Sequence, residues 1–288
     1  MAQFVSPSWC DLEWSEWIAL AAPLDEYQRC ISRDPGFYRV RIVGSQALAY
    51  VGQTGRNLRE RTRALASHVG RPADDPPWND PHTAAPGLWA WKIEEGFEYE
   101  VSVAARQLSS PHRQCMEDRL LYEYRLEKGE STLANHGRFH AGWARPSNKN
   151  KGHAMQRLSA DQPNAGAGPS LSATTGAGEP VSADWLGLPW SETAALEKMV
   201  GRAPVVPGVY RLIAGDEVVY LGESNSLSGR LRSHGQKYKA ESLSTSWCTM
   251  EGALAHHLKE RETDLIGAFY KQVGEPPRFQ YGGGDTSS

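Results

Sequence analysis

Pro207-Gly208-Val209-Tyr210-Arg211-Leu212, followed by Val219-Tyr220-Leu221-Gly222, is the stretch on which the fold turns. The runs Val209 to Ala214 and Glu217 to Leu221 are rich in β-formers and are parted by Gly215-Asp216, so they read as an antiparallel hairpin. The same series occurs earlier in the chain. Pro35-Gly36-Phe37-Tyr38-Arg39-Val40 precedes Ala49-Tyr50-Val51-Gly52, and Gly44-Ser45-Gln46 parts the strand-like runs Phe37 to Val43 and Ala47 to Val51.

Working outward from the two hairpins, the repetition continues. Leu12-Glu13-Trp14-Ser15-Glu16 matches Leu188-Pro189-Trp190-Ser191-Glu192, and Glu117-Asp118-Arg119-Leu120-Leu121 matches Glu262-Thr263-Asp264-Leu265-Ile266. The chain is therefore a duplication, and the first copy carries an insertion at about 70–86, rich in proline and aspartate and a candidate specificity loop. Ser15 and Ser191 are expected to cap a short helix, with Trp14 and Trp190 as staples ahead of the cap. Asn57 to His68 and Ser226 to His234 read as helices. Leu88 to Ile93 with Tyr99 to Ala105, or Ser246 to Met250 in the second copy, read as further strand, and a long helix carries Glu117 or Glu262. The expected fold is α+β, two domains each with a small antiparallel sheet flanked by helices. Their expected limits are residues 1–145 and 184–284. Residues 146–183 form the linker, basic at first and then rich in Gly, Ala, Pro and Ser, with Pro163 to Ala183 reading as a flexible tether.

The bulk numbers are compatible with this and add limits. A chain of 288 residues suits two domains, and 40% hydrophobic with 23% charged residues is an ordinary globular composition. No stretch approaches the run of about 20 apolar residues that spans a bilayer, so no membrane partner is expected. Met1 to Trp17 has no basic leader or apolar segment and contains Asp11, Glu13 and Glu16, which leads to an expected cytoplasmic location. Cys10, Cys30, Cys115 and Cys248 show no C-x-x-C spacing, which argues against a zinc ribbon or a disulfide framework. The net charge of -3 argues mildly against nucleic-acid binding, but its distribution matters more. Residues 138–157 hold Arg138, Arg145, Lys149, Lys151 and Arg157 with no acid, and residues 56–71 hold Arg56, Arg59, Arg61, Arg63 and Arg71 against Glu60 alone. The first run reads equally as a solvated linker or as a phosphate-tracking segment.

In the second copy Gly208-Val209-Tyr210 and Tyr220-Leu221-Gly222 are followed by Arg230, His234, Glu262 and Gln280; in the first, Gly36-Phe37-Tyr38 and Tyr50-Val51-Gly52 are followed by Arg61, Glu117 and Asn135. This order resembles the GIY-YIG nuclease family over roughly residues 35–137 and 207–282. Each tripeptide alone is weak, whereas the full series occurring twice is specific. The resemblance implies a DNA endonuclease with two active sites on one chain, a monomer being sufficient, in a defence or repair role. Its alternative is a DNA-binding or structure-recognition protein in which one or both copies do not cut. Glu117 and Glu262 would hold Mg²⁺ or Mn²⁺ with waters and the scissile phosphate completing the shell. Tyr38 with Tyr50, and Tyr210 with Tyr220, would position the water and accept its proton, a demanding role for a phenol of ordinary pKa near ~10. Arg61 and Arg230 would favour the phenolate and stabilise the transition state, while Asn135 and Gln280 would complete the sites. Arg56, Arg59, Arg63, Arg232, Lys237, Lys149 and Lys151 are the candidate DNA-binding cations.

The copies also depart from the pattern. His234 lies one helical turn after Arg230, but Leu65 stands there in the first copy and His68 is one turn further on. The interval from Tyr50 to Arg61 exceeds that from Tyr220 to Arg230 by one residue, leaving Arg59 or Arg63 open for the role. Gln280 is one methylene longer than asparagine, which shifts its amide. His136 and His140 have a spacing seen in zinc sites, but without paired cysteines the spacing reads as coincidence. The tryptophans, including Trp78, Trp89, Trp91 and Trp143, are candidates for base stacking, although more of them are expected in the core.

Overall fold

The computed structural model describes residues 2–79, 82–164 and 166–282, and the fold is α+β. Two compact units are present: Met1–Arg113 with Glu123–Pro169, and Gln114–Tyr122 with Ser170–Ser288.

In the first unit the order is β1 (Ile18–Ala19), α1 (Leu24–Cys30), β2 (Gly36–Ile42), β3 (Leu48–Thr54), α2 (Leu58–Val69), α3 (Ala85–Glu95) and β4 (Tyr99–Ala105). Helix α4 (Ser110–Lys128) follows and supplies residues to both units, and the small ribbon β5 (Trp143–Ala144) with β6 (Gln156–Arg157) comes after it. The four-stranded antiparallel sheet has the order β1-β4-β2-β3, so β2 is central. The second unit contains β7 (Ala194–Ala195), α5 (Leu196–Met199), β8 (Gly208–Ala214), β9 (Glu217–Ser224), α6 (Leu227–Lys237), β10 (Ser244–Thr249) and α7 (Ala255–Val273). Its sheet has the order β7-β10-β8-β9, the same topology.

The repetition extends to single residues. Tyr38 pairs with Gly52 and Tyr210 with Gly222, and each hairpin has a bulge at the same point, between Val40 and Arg41 or between Leu212 and Ile213. Gly44 and Gly215 take positive φ in the two turns, as tight hairpin connections require. Asn57 caps α2 by accepting from the Glu60 N–H at 3.2 Å, and Ser226 caps α6 by accepting from the Gly229 N–H at 3.4 Å. Trp14 and Trp190 each donate an indole N–H, at 3.0 Å, to the carbonyl of the tryptophan five residues earlier. Arg39 and Arg211, central-strand residues that are fully buried, lie over those indoles, each with its guanidinium carbon 4.3 Å from the ring centroid. One core gathers Tyr38, Val40, Leu58, Leu65, Val101 and neighbours; the other gathers Tyr210, Leu212, Val219, Leu227 and Leu231.

Three expectations are corrected. Ser15 and Ser191 cap no helix: their hydroxyls accept from the N–H groups of Val103 in β4 and Trp247 in β10, so a short edge strand follows each. Leu88 to Ile93 is not strand but the middle of α3, because Pro86 suits a helix start and buries its face with Leu88, Trp89 and Ala90. The stretch Pro163 to Ala183 is not a loose tether throughout. Leu171 N–H donates to Glu260 Oε2 at 2.7 Å, Thr174 N–H to Asp264 Oδ2 at 3.3 Å, and Thr174 is buried, so small residues let the backbone lie against α7. No helix among the described residues is long and apolar enough to cross a membrane.

Candidate active site

Strands β8 and β9 present Tyr210 and Tyr220 side by side, their rings stacked with centroids 5.9 Å apart. Gly222 is required by this pairing: a Cβ there would lie 2.7 Å from both the Tyr210 hydroxyl and the Tyr220 ring, too close for any side chain. Gly52 faces the same restriction, at 2.6 Å from Tyr38 and Tyr50. The glycine of each tripeptide is therefore the floor on which the phenol rests.

Helix α6 brings His234 onto these rings. Its Nε2 and the Tyr210 hydroxyl share a hydrogen bond of 2.7 Å, its ring centroid is 5.0 Å from that of Tyr220, and its buried Nδ1 has no hydrogen-bond partner among the described residues. Burial, then the charges of Arg230 and Lys237, lower the imidazole pKa to about 4, so it is neutral at physiological pH. Burial also pushes the Tyr210 phenol well above its usual range, with Arg230 acting in the opposite direction. Arg230 is exposed one turn before His234, and its charge reaches Tyr210, Tyr220, His234 and Glu262. Glu262 is held from α7 against β9, where its Oε1 accepts from the Glu223 N–H at 3.3 Å. The structure thus brings Tyr210, Tyr220, Arg230, His234 and Glu262 together, and adds Glu223.

Burial, reinforced by the charge of Glu223, raises the Glu262 carboxyl pKa from 4.5 to about 7. Between these values the folded chain keeps a proton that the unfolded chain has released. Stability is therefore lost as pH rises across that window, and the full penalty is present above it. Glu262→Gln carries no charge to bury. In EDTA at about pH 8 it is expected to melt above the parent by the equivalent of about 1–2 kcal/mol, after discounting for solvent screening, and to match it at about pH 4. An unchanged midpoint at the higher pH would exclude this burial penalty.

Gln280 donates nothing to the cluster directly. Its Oε1 accepts from the Leu221 N–H at 3.1 Å, between Tyr220 and Gly222. Asn135 does the same for β3, accepting from Val51 N–H at 3.0 Å and donating to Val51 carbonyl at 2.9 Å. Each amide is a strand anchor behind a site tyrosine.

In the first copy Tyr38 and Tyr50 lie 5.9 Å apart between centroids, and Arg61 Nε donates to the Tyr38 hydroxyl at 3.3 Å. This separates Arg61 from its neighbours. Arg59 donates to the carbonyls of Ile31 and Gln28, and Arg63 lies over the Tyr27 ring, so both brace α1. Glu117 is the eighth residue of α4, as Glu262 is of α7. At the position of His234 stands Leu65, wholly in the core. His68 turns its Nδ1 to the Ala64 carbonyl at 2.7 Å and sets its ring 5.7 Å from that of His82. His82 went unseen in the sequence because it lies in the insertion and has no counterpart in the second copy. It is 3% exposed, its Nδ1 has no hydrogen-bond partner among the described residues, and burial followed by the charge of Arg61 lowers its pKa to about 4. Glu223 and its counterpart Gln53 were also overlooked, although both directly follow the glycine of the second tripeptide.

The remaining candidates are elsewhere. Arg56, Arg232, Lys237, Lys149 and Lys151 are exposed, with Lys237 over the Tyr238 ring. His140 accepts from the Gly142 N–H through Nδ1 and packs edge-on to Trp91, and no group of three or more metal-ligating side chains occurs among the described residues. Trp89 and Trp143 pack on each other in the core. Comparison with protein-family models, curated proteins and solved structures finds no match to this chain.

Proposed function

We propose that the chain is a metal-dependent DNA endonuclease of the GIY-YIG type whose two sites are unequal, the second copy holding the fuller one. The observation that carries this reading is the Tyr210–His234 hydrogen bond set between Tyr220, Arg230 and the Glu262 carboxylate. Glu262, with Glu223 beside it, would hold Mg²⁺ or Mn²⁺. Neither carboxylate forms an ion pair among the described residues, and an oxygen-only acidic set suits a hard cation. Once bound, such an ion would neutralise charge developing on the phosphorane oxygens.

The side chains divide the remaining work. Tyr210 orients a water through its hydroxyl and takes a proton from it while passing its own to His234 Nε2, which the depressed imidazole pKa keeps unprotonated at the start. The attacking oxygen forms a bond to phosphorus as the bond from phosphorus to the leaving sugar oxygen breaks, and that oxygen takes a proton from solvent to leave as a hydroxyl. Arg230, exposed at the edge of the cluster, is placed to meet a phosphate with a planar donor fork. Tyr220 stacks on Tyr210 and limits how that ring can turn.

The test is cleavage of supercoiled, branched and single-stranded DNA with Mg²⁺ by the parent, Glu117→Gln, Glu262→Gln and the double variant. Glu262→Gln is expected to remove most of the activity and Glu117→Gln the smaller part. A parent that binds DNA and cuts no substrate, RNA included, would leave the binding-protein reading in place of the enzyme.

A further inference from the structure

A cavity of about 670 Å³ opens in the first copy where β3 runs into α2, lined by Gln53, Arg56, Asn57, Arg61, His82 and Arg113, with Glu60 its one acidic member. Corresponding positions in the second copy have a different charge. Gln53 replaces Glu223, Arg113 on α4 replaces Leu258 on α7, and Arg56 is the extra residue in the interval before the helix. Each change adds a positive unit, while Glu60 in place of Gly229 removes one, so the first mouth is two units more positive. Arg113 is held in place: Nε donates to Gln53 Oε1 at 2.6 Å and Nη1 to the Leu108 carbonyl at 3.1 Å. Gly55 makes room for it, since a Cβ there would lie 2.7 Å from Nη2.

The amino end of α2, a 12-residue helix, also faces this cavity through Asn57 and Glu60. Helix amino ends attract anions, although that alone identifies no ligand. The second and independent feature is His82, a side chain 3% exposed that lines the same cavity and whose Nδ1 has no hydrogen-bond partner among the described residues. The N–H groups of Leu58, Arg59 and Glu60 are already bonded to the Asp34 carbonyl, the Ser32 carbonyl and Asn57 Oδ1, so the helix contributes its dipole alone. The guanidinium groups and the unsatisfied imidazole nitrogen are the groups that suit a tetrahedral oxyanion.

We infer that the first copy carries a metal-independent phosphate-binding site, which grips a DNA phosphate between Arg56, Arg113 and His82 while the second copy does most of the cutting. The inference rests on the proposed nuclease reading for the identity of the ligand as DNA, and on the geometry alone for its being a phosphate. A cation would be less welcome here than beside Glu262, because Gln53 stands where the other copy has the Glu223 carboxylate and the Arg113 guanidinium lies against it.

The probe is a short DNA oligonucleotide labelled with fluorescein at its 3′ end, titrated with the full chain in EDTA and followed by anisotropy. The parent is expected to bind, inorganic phosphate to compete, and Arg56→Gln and Arg113→Gln each to weaken binding about 5–10-fold, as expected for loss of one charge-assisted phosphate contact. His82→Phe keeps a ring in the core and is expected to weaken binding about threefold. Lys239→Gln removes an exposed charge from the other unit and is expected to stay within about twofold of the parent. Oligonucleotides with a 5′ phosphate or a 5′ hydroxyl separate the two sources of the group: equal affinity indicates an internal phosphodiester, and a preference for the former indicates a strand end. Arg56 is exposed and its side chain makes no hydrogen bond or ion pair among the described residues, so Arg56→Gln remains informative even if Arg113→Gln fails to fold.

The absence of binding in EDTA would overturn the inference, and so would losses in Lys239→Gln equal to those in the pocket variants. The same preparations assayed for cleavage with Mg²⁺ keep the two ideas apart. Cutting without metal-free binding removes the pocket and spares the enzyme, while metal-free binding lost in the pocket variants without any cutting removes the enzyme and spares the pocket.

Discussion

Tyr210→Phe, made in a Glu117→Gln background so that only the second copy is read, is expected to slow single-turnover nicking by about 10²–10⁴-fold, the range for loss of a positioned proton-transfer group. The change deletes one oxygen and leaves the ring on its glycine floor, stacked on Tyr220. It removes the 2.7 Å hydrogen bond between the Tyr210 hydroxyl and Nε2 of His234, the path proposed for the proton. The fold should barely register the loss, with a change of about 1 kcal/mol, since His234 retains its packing against Tyr220 and Tyr238. Cleavage within about threefold of the parent would mean that the phenol is only a packing group. His234→Gln offers an internal check, because an amide can hold the hydroxyl in place without relaying its proton. It is expected to be slow as well, and slow at every pH at which the parent is active.

Trp190→Ala is expected to cost about 3–5 kcal/mol, enough to lower the melting temperature of a unit this size by more than about 10 °C. Deleting a buried indole leaves a cavity, but the larger part of the argument concerns Arg211 beneath it. That guanidinium is fully buried and donates through Nε to Ser246 Oγ at 2.7 Å and through Nη1 to the Pro180 carbonyl at 2.5 Å. Its Nη2 has no hydrogen-bond partner. Burial lowers the pKa only to about 10, so the group stays charged, and the indole face 4.3 Å away is what offsets the orphaned donor. Removing the indole exposes a buried cation to a void. Arg211→Met, which takes away the charge with the need for it, is expected to cost less than half as much. If chemical denaturation ranks the two variants the other way, the cation over the indole is not what secures the central strand.

The two hairpins and helices α2 and α6 were legible because their signals are local: β-branched and aromatic runs, turn residues between them, and cap-forming residues at Asn57 and Ser226. Where reading failed, the deciding contact was distant in sequence. Leu88 to Ile93 is a short apolar run, and such a run has no period that separates buried strand from buried helix. Ser15 and Ser191 carry a cap-forming side chain, yet their partners are strand amides 88 and 56 residues away. The stretch before Ala183 looked too poor in apolar residues to pack, but backbone groups, not side chains, attach it. Among candidate site residues, order along the chain pointed to Tyr210, Tyr220, Arg230, His234 and Glu262, while choosing Arg61 over Arg59 and Arg63 needed the packing against α1. His82 could not be found from a repeat, since an insertion has nothing to be compared with.

The bulge shared by the two hairpins bears on the history of the chain. A bulge turns every later side chain of its strand to the opposite face unless the rest of the sheet accommodates it, so it is seldom gained or lost one residue at a time. Both copies carry it at the same step past the first tyrosine, although the residues flanking it differ, Val40-Arg41 in one and Leu212-Ile213 in the other. The irregularity was therefore present in the ancestor before it doubled. Side chains on α2, α4, α6 and α7 have since diverged on two sheets that keep the same register.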